Sequence, residues 1–222
     1  MCQHLLKSRK YEASFAEDYA RAVATYLAFA VDKMTDTNTS LCSWQIDPPR
    51  LRSTFGRQAL PMVWDFAEAN VFGDAAGDYQ RTYSSLCEVL ERLTDSPTKG
   101  IVSQFDATKI SSLDLEDSPL LSTDPPYYDN ICYADLSDFF YVWLRKSAGS
   151  LYPETFSTLL TPKSDELIAS TYRFNGDAEQ AGKFFETGLR SAFGEFRKTQ
   201  NEAYPILPHS IPFHLLPLIR IW

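Results

Sequence analysis

Thr123-Asp124-Pro125-Pro126-Tyr127-Tyr128-Asp129-Asn130 decides how this chain reads. It follows a short apolar run, residues 119 to 123 (PLLST), bounded by turn residues. Such a run between helical segments predicts a buried parallel strand, and open α/β sheets bind ligands at the C-terminal ends of their strands. Two prolines stiffen the turn after the strand and remove two N–H donors, leaving carbonyls to accept hydrogen bonds. Asp124 adds a carboxylate acceptor and Tyr127 a flat apolar face. Acceptors beside an aromatic face suit an exocyclic amine on a planar base: the Asp124 carboxylate and a proline carbonyl take the amino hydrogens, and the ring stacks on Tyr127. A second Asp-Pro-Pro, Asp47-Pro48-Pro49-Arg50, follows a loop and lacks the aromatic, so it is read as a turn.

Upstream, residues 100 to 105 (GIVSQF) form another short apolar-rich run, predicted as a strand, with Asp106 at its C-terminal edge. Helical spacing is found over residues 15 to 34, on a stripe of Tyr19, Val23, Tyr26, Leu27, Ala30 and Met34, and over residues 79 to 93. Residues 134 to 149 read as an aromatic-rich helix. Residues 177 to 199 read as an amphipathic helix with Phe185, Leu189, Ala192 and Phe196 on one face, weakened by Gly182, Gly188 and Gly194. Pro61 is placed to open a helix over residues 61 to 70. Residues 35 to 50 read as loop.

The chain has 222 residues, 44% of them apolar and 23% charged, with a net charge of -8. That is enough apolar material for a core, and it excludes global disorder. No apolar run approaches the roughly 20 residues of a bilayer span, so no membrane partner is expected. Cys2, Cys42, Cys87 and Cys132 are scattered with no C-x-x-C pair, which argues against a metal ribbon and a disulfide framework; no metal site is expected, and the compartment reads as reducing and cytoplasmic. The acidic balance opposes non-specific binding of nucleic acid, because phosphate contact relies on Lys and Arg. Arg50, Arg52 and Arg57 form the clearest basic cluster, readable as a phosphate contact or as a solvated, ion-paired face.

Over a longer stretch, TDPPYYDNICYADLSDFFYVWLRKS from Thr123 resembles the motif IV region of the large bacterial and archaeal adenine-specific DNA methylases that carry a zinc ribbon. The resemblance extends from Ala22-Val23-Ala24-Thr25-Tyr26-Leu27 through Arg57-Gln58-Ala59-Leu60-Pro61 and Leu159-Leu160-Thr161-Pro162-Lys163 to the helix ending near Tyr204-Pro205. It covers most of residues 15 to 205. It implies an α/β fold, a partial class I methyltransferase (Rossmann-like) sheet with a helical N-terminal part. It also implies S-adenosyl-L-methionine as methyl donor and direct transfer to the N6 amine of a flipped adenine in DNA. In that family's terms Asp124 and the Pro125 carbonyl polarise and orient the amine, and Tyr127 stacks on the flipped base. Asp106 falls where such enzymes contact the adenine moiety of the cofactor. Read from the residues themselves, Pro125 and Pro126 stiffen the turn, and the aromatics between Tyr127 and Tyr152 are mostly core, with Tyr127 and Tyr128 the candidates to face a base.

The sequence departs from the family at identifiable places. No pair among its nine glycines has G-x-G spacing, so the glycine-rich cofactor turn is missing, as is the zinc ribbon. The chain therefore reads as an internal fragment: residues 1–97 mainly helical, 98–204 a partial catalytic region, and 205–222 an aberrant proline-rich tail. A separate chain carrying the cofactor half is the partner implied beside DNA, and a non-catalytic interaction module is the alternative reading.

Overall fold

The computed structural model describes residues 13–60, 62–75, 77–93, 102, 104–112, 120–203 and 206–208. The chain divides into two compact units, Met1–Gly100 with Asp135–Thr161, and Ile101–Ala134 with Pro162–Trp222. The expected division at residue 98 is contiguous in sequence. Here residues 135–161 return to the first unit.

In the first unit, helix α1 (Ala13–Thr35) packs with helix α2 (Tyr79–Leu93). Both lie where the apolar period placed them, but the buried face of α1 differs from the expected stripe. Ala16, Ala28 and Ala30 are buried, whereas Tyr19, Tyr26 and Leu27 are each more than a third exposed. Small side chains let a neighbouring backbone come close. The larger rings pack along the helix itself, Phe15 on Tyr19 at 6.3 Å and Tyr26 on Phe29 at 6.1 Å. Asp78 starts α2. It is almost fully buried, and its carboxylate accepts the Arg81 N–H at 2.7 Å, satisfying one of the helix's orphan donors.

Residues 35 to 50 contain more order than a loop. β1 (Trp44–Gln45) pairs antiparallel with β2 (Arg50–Leu51), and Asp47-Pro48-Pro49 lies in the connection. The helix expected over residues 61 to 70 is not formed by residues 62–70. Met62 and Trp64 are 85% and 99% exposed and Val63, Ala67 and Ala69 only half-buried, and the Ala67 N–H goes to the Cys42 carbonyl at 3.0 Å instead of to a helical partner. A favourable first-turn proline cannot by itself hold a helix whose large apolar side chains stay in solvent.

Helix α3 (Tyr133–Ala148) is cut by the unit division after Ala134. In the first unit its Phe139 and Phe140 close on Phe55 at 5.4 and 5.3 Å. Asp138 accepts the Thr161 N–H and O–H at 2.9 and 2.6 Å.

The second unit is organised by helix α4 (Ala178–Thr199). Asp177 caps it, accepting the Glu179 and Gln180 N–H groups at 2.9 Å each. Phe185, Leu189, Ala192 and Phe196, the expected face, are all buried and form a core with Ala181, Phe193, Ala169 and Ile206. Two of the glycines thought to weaken this helix lie at close approaches. A Cβ at Gly182 would lie 3.1 Å from the Tyr128 Oη, and one at Gly188 would overlap Leu167. The 3₁₀ segment η1 (Ala107–Ser112) packs on α4, where the Ser111 hydroxyl donates to Glu195, and a second 3₁₀ turn, η2 (Thr171–Phe174), precedes the helix.

β3 (Ser122–Thr123) falls inside the expected strand and pairs in parallel with β4 (Leu207–Pro208), but the run is not buried as expected: Leu120 is 56% exposed and Ser122 is exposed. The expected strand over residues 100 to 105 is not seen: Val102 and residues 104–106 are in no strand, Val102 is 97% exposed, and the other residues of that run lie outside the described residues. The tail contributes more than composition suggested. Ile206 is in the core, and Pro208 pairs at an edge, where the missing N–H is tolerated. Tyr204, Pro205 and residues 209–222 lie outside the described residues. Among the described residues, strands are limited to these two two-residue pairs, one antiparallel and one parallel. No helix there is long and apolar enough to cross a membrane.

One group in the first unit sets a pH dependence. An oxygen of Asp32, near the end of α1, is buried without a hydrogen-bond partner, and burial raises the carboxyl pKa from 3.8 to about 6. The native state therefore binds this proton more tightly than the unfolded chain does. The destabilisation is full above pH 6 and is relieved as the pH falls through 6 towards 4. In thermal melts Asp32→Asn is expected to unfold at a higher temperature than the parent at pH 7.5, with the difference gone near pH 4. An equal difference at both pH values would refute this account.

Candidate functional site

The strand β3 delivers the chain into Asp124-Pro125-Pro126-Tyr127 at its C-terminal end. Pro125 is buried, Pro126 and Tyr127 are half-buried, and Asp124 is exposed, so the turn is anchored from below with its carboxylate in solvent. The Tyr127 Oη–H donates to Asp124 Oδ1 at 3.3 Å, a long bond that sets the ring beside the carboxylate. The structure thus brings Asp124, Pro125, Pro126 and Tyr127 together in one short turn.

That turn is held in an unusual conformation. The Asn130 N–H closes on the Tyr127 carbonyl at 2.9 Å, and Tyr128 between them has φ +44°. A bulky side chain in the left-handed region costs about 1–2 kcal/mol and persists only where its surroundings impose it. Three observations account for it here. The Tyr128 carbonyl accepts the Ala169 N–H at 2.9 Å. Its ring meets Phe185 edge-on at 5.2 Å. Its hydroxyl lies over Gly182, where a Cβ would come to 3.1 Å and push it by a few tenths of an ångström. Tyr128 packs against the core, which corrects the expectation that it faces a base beside Tyr127. Sequence reasoning missed this bracing; the available signal was a glycine inside an otherwise regular apolar helix face.

The segment leaving the turn is also tied down. Glu166 accepts the Ala134 N–H at 2.9 Å in the first turn of α3 and pairs with Arg173 at 2.6 Å. Arg173 in turn donates to the Lys163 carbonyl at 2.7 Å. Both side chains of the pair are 14% exposed, so the charges are largely desolvated but mutually satisfied.

Asp106 lies immediately before η1. The Thr108 hydroxyl and N–H donate to its Oδ1 at 2.7 and 2.9 Å, and the Lys109 ammonium is 3.0 Å from Oδ2. These bonds to the charged form lower its pKa from 3.8 to about 2, with Thr108 the larger influence and Lys109 the smaller. The carboxylate is fixed and ionised at neutral pH. Ligand binding at Asp106 would use its remaining lone pairs or displace Lys109.

Among the described residues no group of three or more His, Cys, Asp or Glu side chains is placed to hold a metal ion. Cys42, Cys87 and Cys132 are free thiols. No family model, no curated protein and no solved structure matches the chain.

Proposed function

We propose that this chain carries the target-base half of an S-adenosyl-L-methionine-dependent DNA methyltransferase acting on the N6 amine of adenine. The observation that carries the reading is the Asp124-to-Tyr127 turn at the end of a parallel strand, with a carboxylate, proline carbonyls and an aromatic ring in one place. Strain at Tyr128, braced from the core, supports a turn whose shape is used rather than incidental.

In this reading an adenine leaves the DNA stack and lies against the Tyr127 ring. Asp124 and the Pro125 carbonyl accept its two amino hydrogens and turn the nitrogen lone pair toward the donor methyl. Transfer is direct: the N–CH3 bond would form as the S–CH3 bond of the donor breaks, leaving a thioether, and the surplus amino proton would pass to water. No nucleophilic side chain is therefore required, and positioning supplies much of the acceleration. Asp106 is the proposed contact to the adenine moiety of the donor. A partial class I sheet around β3 and a cytoplasmic setting belong to the same proposal. The glycine-rich turn that would cradle the donor has no counterpart in the sequence, so a separate chain is proposed to supply it and transfer by this chain alone is expected to be negligible.

Two measurements test this. Binding is compared for a DNA strand holding one adenine and the same strand holding N6,N6-dimethyladenine, which has no amino hydrogen to donate. Preference for the first is expected, and equal binding would refute the base-reading site. Calorimetric titration with S-adenosyl-L-methionine is expected to show no tight binding; a micromolar dissociation constant would overturn the assignment of the cofactor half to another chain.

A further inference from the structure

We propose that a groove on the hairpin of the first unit binds the phosphodiester backbone of a DNA strand through Arg50, Arg52 and Arg57. The choice of DNA rests on the function proposed above; the groove itself is argued from its own geometry. It has a volume of about 780 Å³ and is lined by residues of the β1–β2 hairpin together with Arg57, Met62 and Val63. None of the described residues that line it is acidic.

The arginines converge for a local reason. Leu51 is buried while Arg50 and Arg52 on either side are exposed, so the two-residue period of extended chain turns both guanidinium groups outward. Their stems stand roughly 7 Å apart on one face. Arg50 is aimed by a 3.2 Å hydrogen bond from its Nε to the Gln45 carboxamide. The guanidinium groups of Arg52 and Arg57 make no ion pair or hydrogen bond with any described residue. In a chain of net charge -8, three arginines share a groove with no acidic lining residue, the nearby carboxylate of Asp36 being engaged by the Phe55 N–H at 3.3 Å. Their mutual repulsion is relieved by an anion.

The backing is rigid. The Arg52 N–H donates to the Ser43 carbonyl at 2.9 Å and the Thr54 N–H to the Asp36 carbonyl at 2.7 Å. Thr54 is fully buried, its hydroxyl 2.7 Å from that of Thr39. Phe55 is wedged against Phe139 and Phe140. A fixed scaffold carrying unpaired arginines needs little reorganisation to take a polyanion. An exposed aromatic face favours a nucleic-acid strand over a single phosphate. Trp64 follows Met62 and Val63 of the lining directly and is 99% exposed, whereas Trp44 pairs with Leu51 across the hairpin and so lies on the face opposite Arg50 and Arg52. Cationic tracks with interleaved aromatics bind single strands by phosphate contact and base stacking.

The test is fluorescence anisotropy of a labelled dT 20-mer with the full chain over a series of salt concentrations. Thymine offers no exocyclic amine, so the Asp124 turn contributes no base reading. The parent is expected to bind, with log K falling linearly with log salt. Neutralising three phosphate contacts to a single strand corresponds to a slope of about 2. The triple variant Arg50→Gln/Arg52→Gln/Arg57→Gln is expected to lose at least about tenfold in affinity at low salt and about 2 units of slope. The triple lysine variant is expected to keep the slope. If the glutamine triple is unfolded by circular dichroism, Arg52→Gln/Arg57→Gln decides, with an expected loss of about 1.4 units of slope. A dT 20-mer with an uncharged methylphosphonate backbone is expected not to bind. Absence of binding by the parent, an unchanged slope in the neutral variants, or equal binding of the uncharged strand would overturn the proposal. Failure to distinguish adenine from dimethyladenine would sink the methyltransferase reading and leave these outcomes untouched.

Discussion

Asp124→Ala is expected to lower the preference for adenine over N6,N6-dimethyladenine about tenfold, leaving only the part that the hydrogen bond to the Pro125 carbonyl contributes. The Asp124 share of the parent ratio is a hydrogen bond from an amine to a carboxylate. Bonds to a charged group contribute about 1.5–3 kcal/mol net. Asp124 is exposed in the free chain, so the lower end applies, about 1.5 kcal/mol, a little over tenfold. Tyr127 acts on a different term. Tyr127→Ala removes a stacking face worth about 1–3 kcal/mol per base and is expected to weaken both strands equally, leaving the ratio intact. Tyr127→Phe keeps the ring and is expected to keep the affinity. This split between ratio and affinity is specific to an acid that reads the amine and an aromatic that holds the ring. If Asp124→Ala retained the preference, or Tyr127→Ala changed only the ratio, the assigned roles would be wrong. If the chain is completed by a cofactor-binding partner as proposed, the same Asp124→Ala change is expected to abolish methyl transfer, because the amine is no longer oriented.

How much of this was legible in the sequence depended on whether a segment's structure is fixed by its own period or by a distant partner. Helix α4 was legible, since Phe185, Leu189, Ala192 and Phe196 recur at helical spacing and bury one face. The bounds of α2 were legible for the same reason. Residues 62–70 were not, because Pro61 signals a helix start but says nothing of whether the following residues find a surface to cover. The β1–β2 hairpin was not, because two-residue strands carry no readable period and are fixed by bonds such as Arg52 N–H to Ser43. The run before Asp106 misled because short apolar segments have no period to distinguish a strand from exposed chain. At the candidate site, the residue types from Asp124 to Tyr127 were legible and the left-handed Tyr128 was not. Its conformation comes from Ala169, Gly182 and Phe185, all more than 40 residues away in sequence. The arginine cluster was visible as composition, but only the alternation around buried Leu51 shows that Arg50 and Arg52 share a face.

Phe185→Ala is expected to have the largest effect on stability. Phe185 is fully buried at the centre of the second unit's core. Truncating such a ring costs about 3–5 kcal/mol, the transfer term plus the cavity left behind. Small domains have about 5–15 kcal/mol in total, so the unit should be close to its folding limit. The change is expected as a large drop in the urea midpoint, with loss of amide-exchange protection across α4 (Ala178–Thr199). Phe185→Leu, which fills most of the volume, is expected to cost far less and serves as the folded comparison. The comparison also reaches the site. The edge of Phe185 is one of three supports that hold Tyr128 at φ +44°, and leucine offers no ring for that contact. With the support weakened, the strained residue can relax and the turn that presents Asp124 and Tyr127 loses its imposed shape. A folded Phe185→Leu protein should therefore discriminate adenine from dimethyladenine less well than the parent, although residue 185 touches no base. Full retention of the discrimination would mean that the Ala169 hydrogen bond and the space over Gly182 suffice to fix the turn.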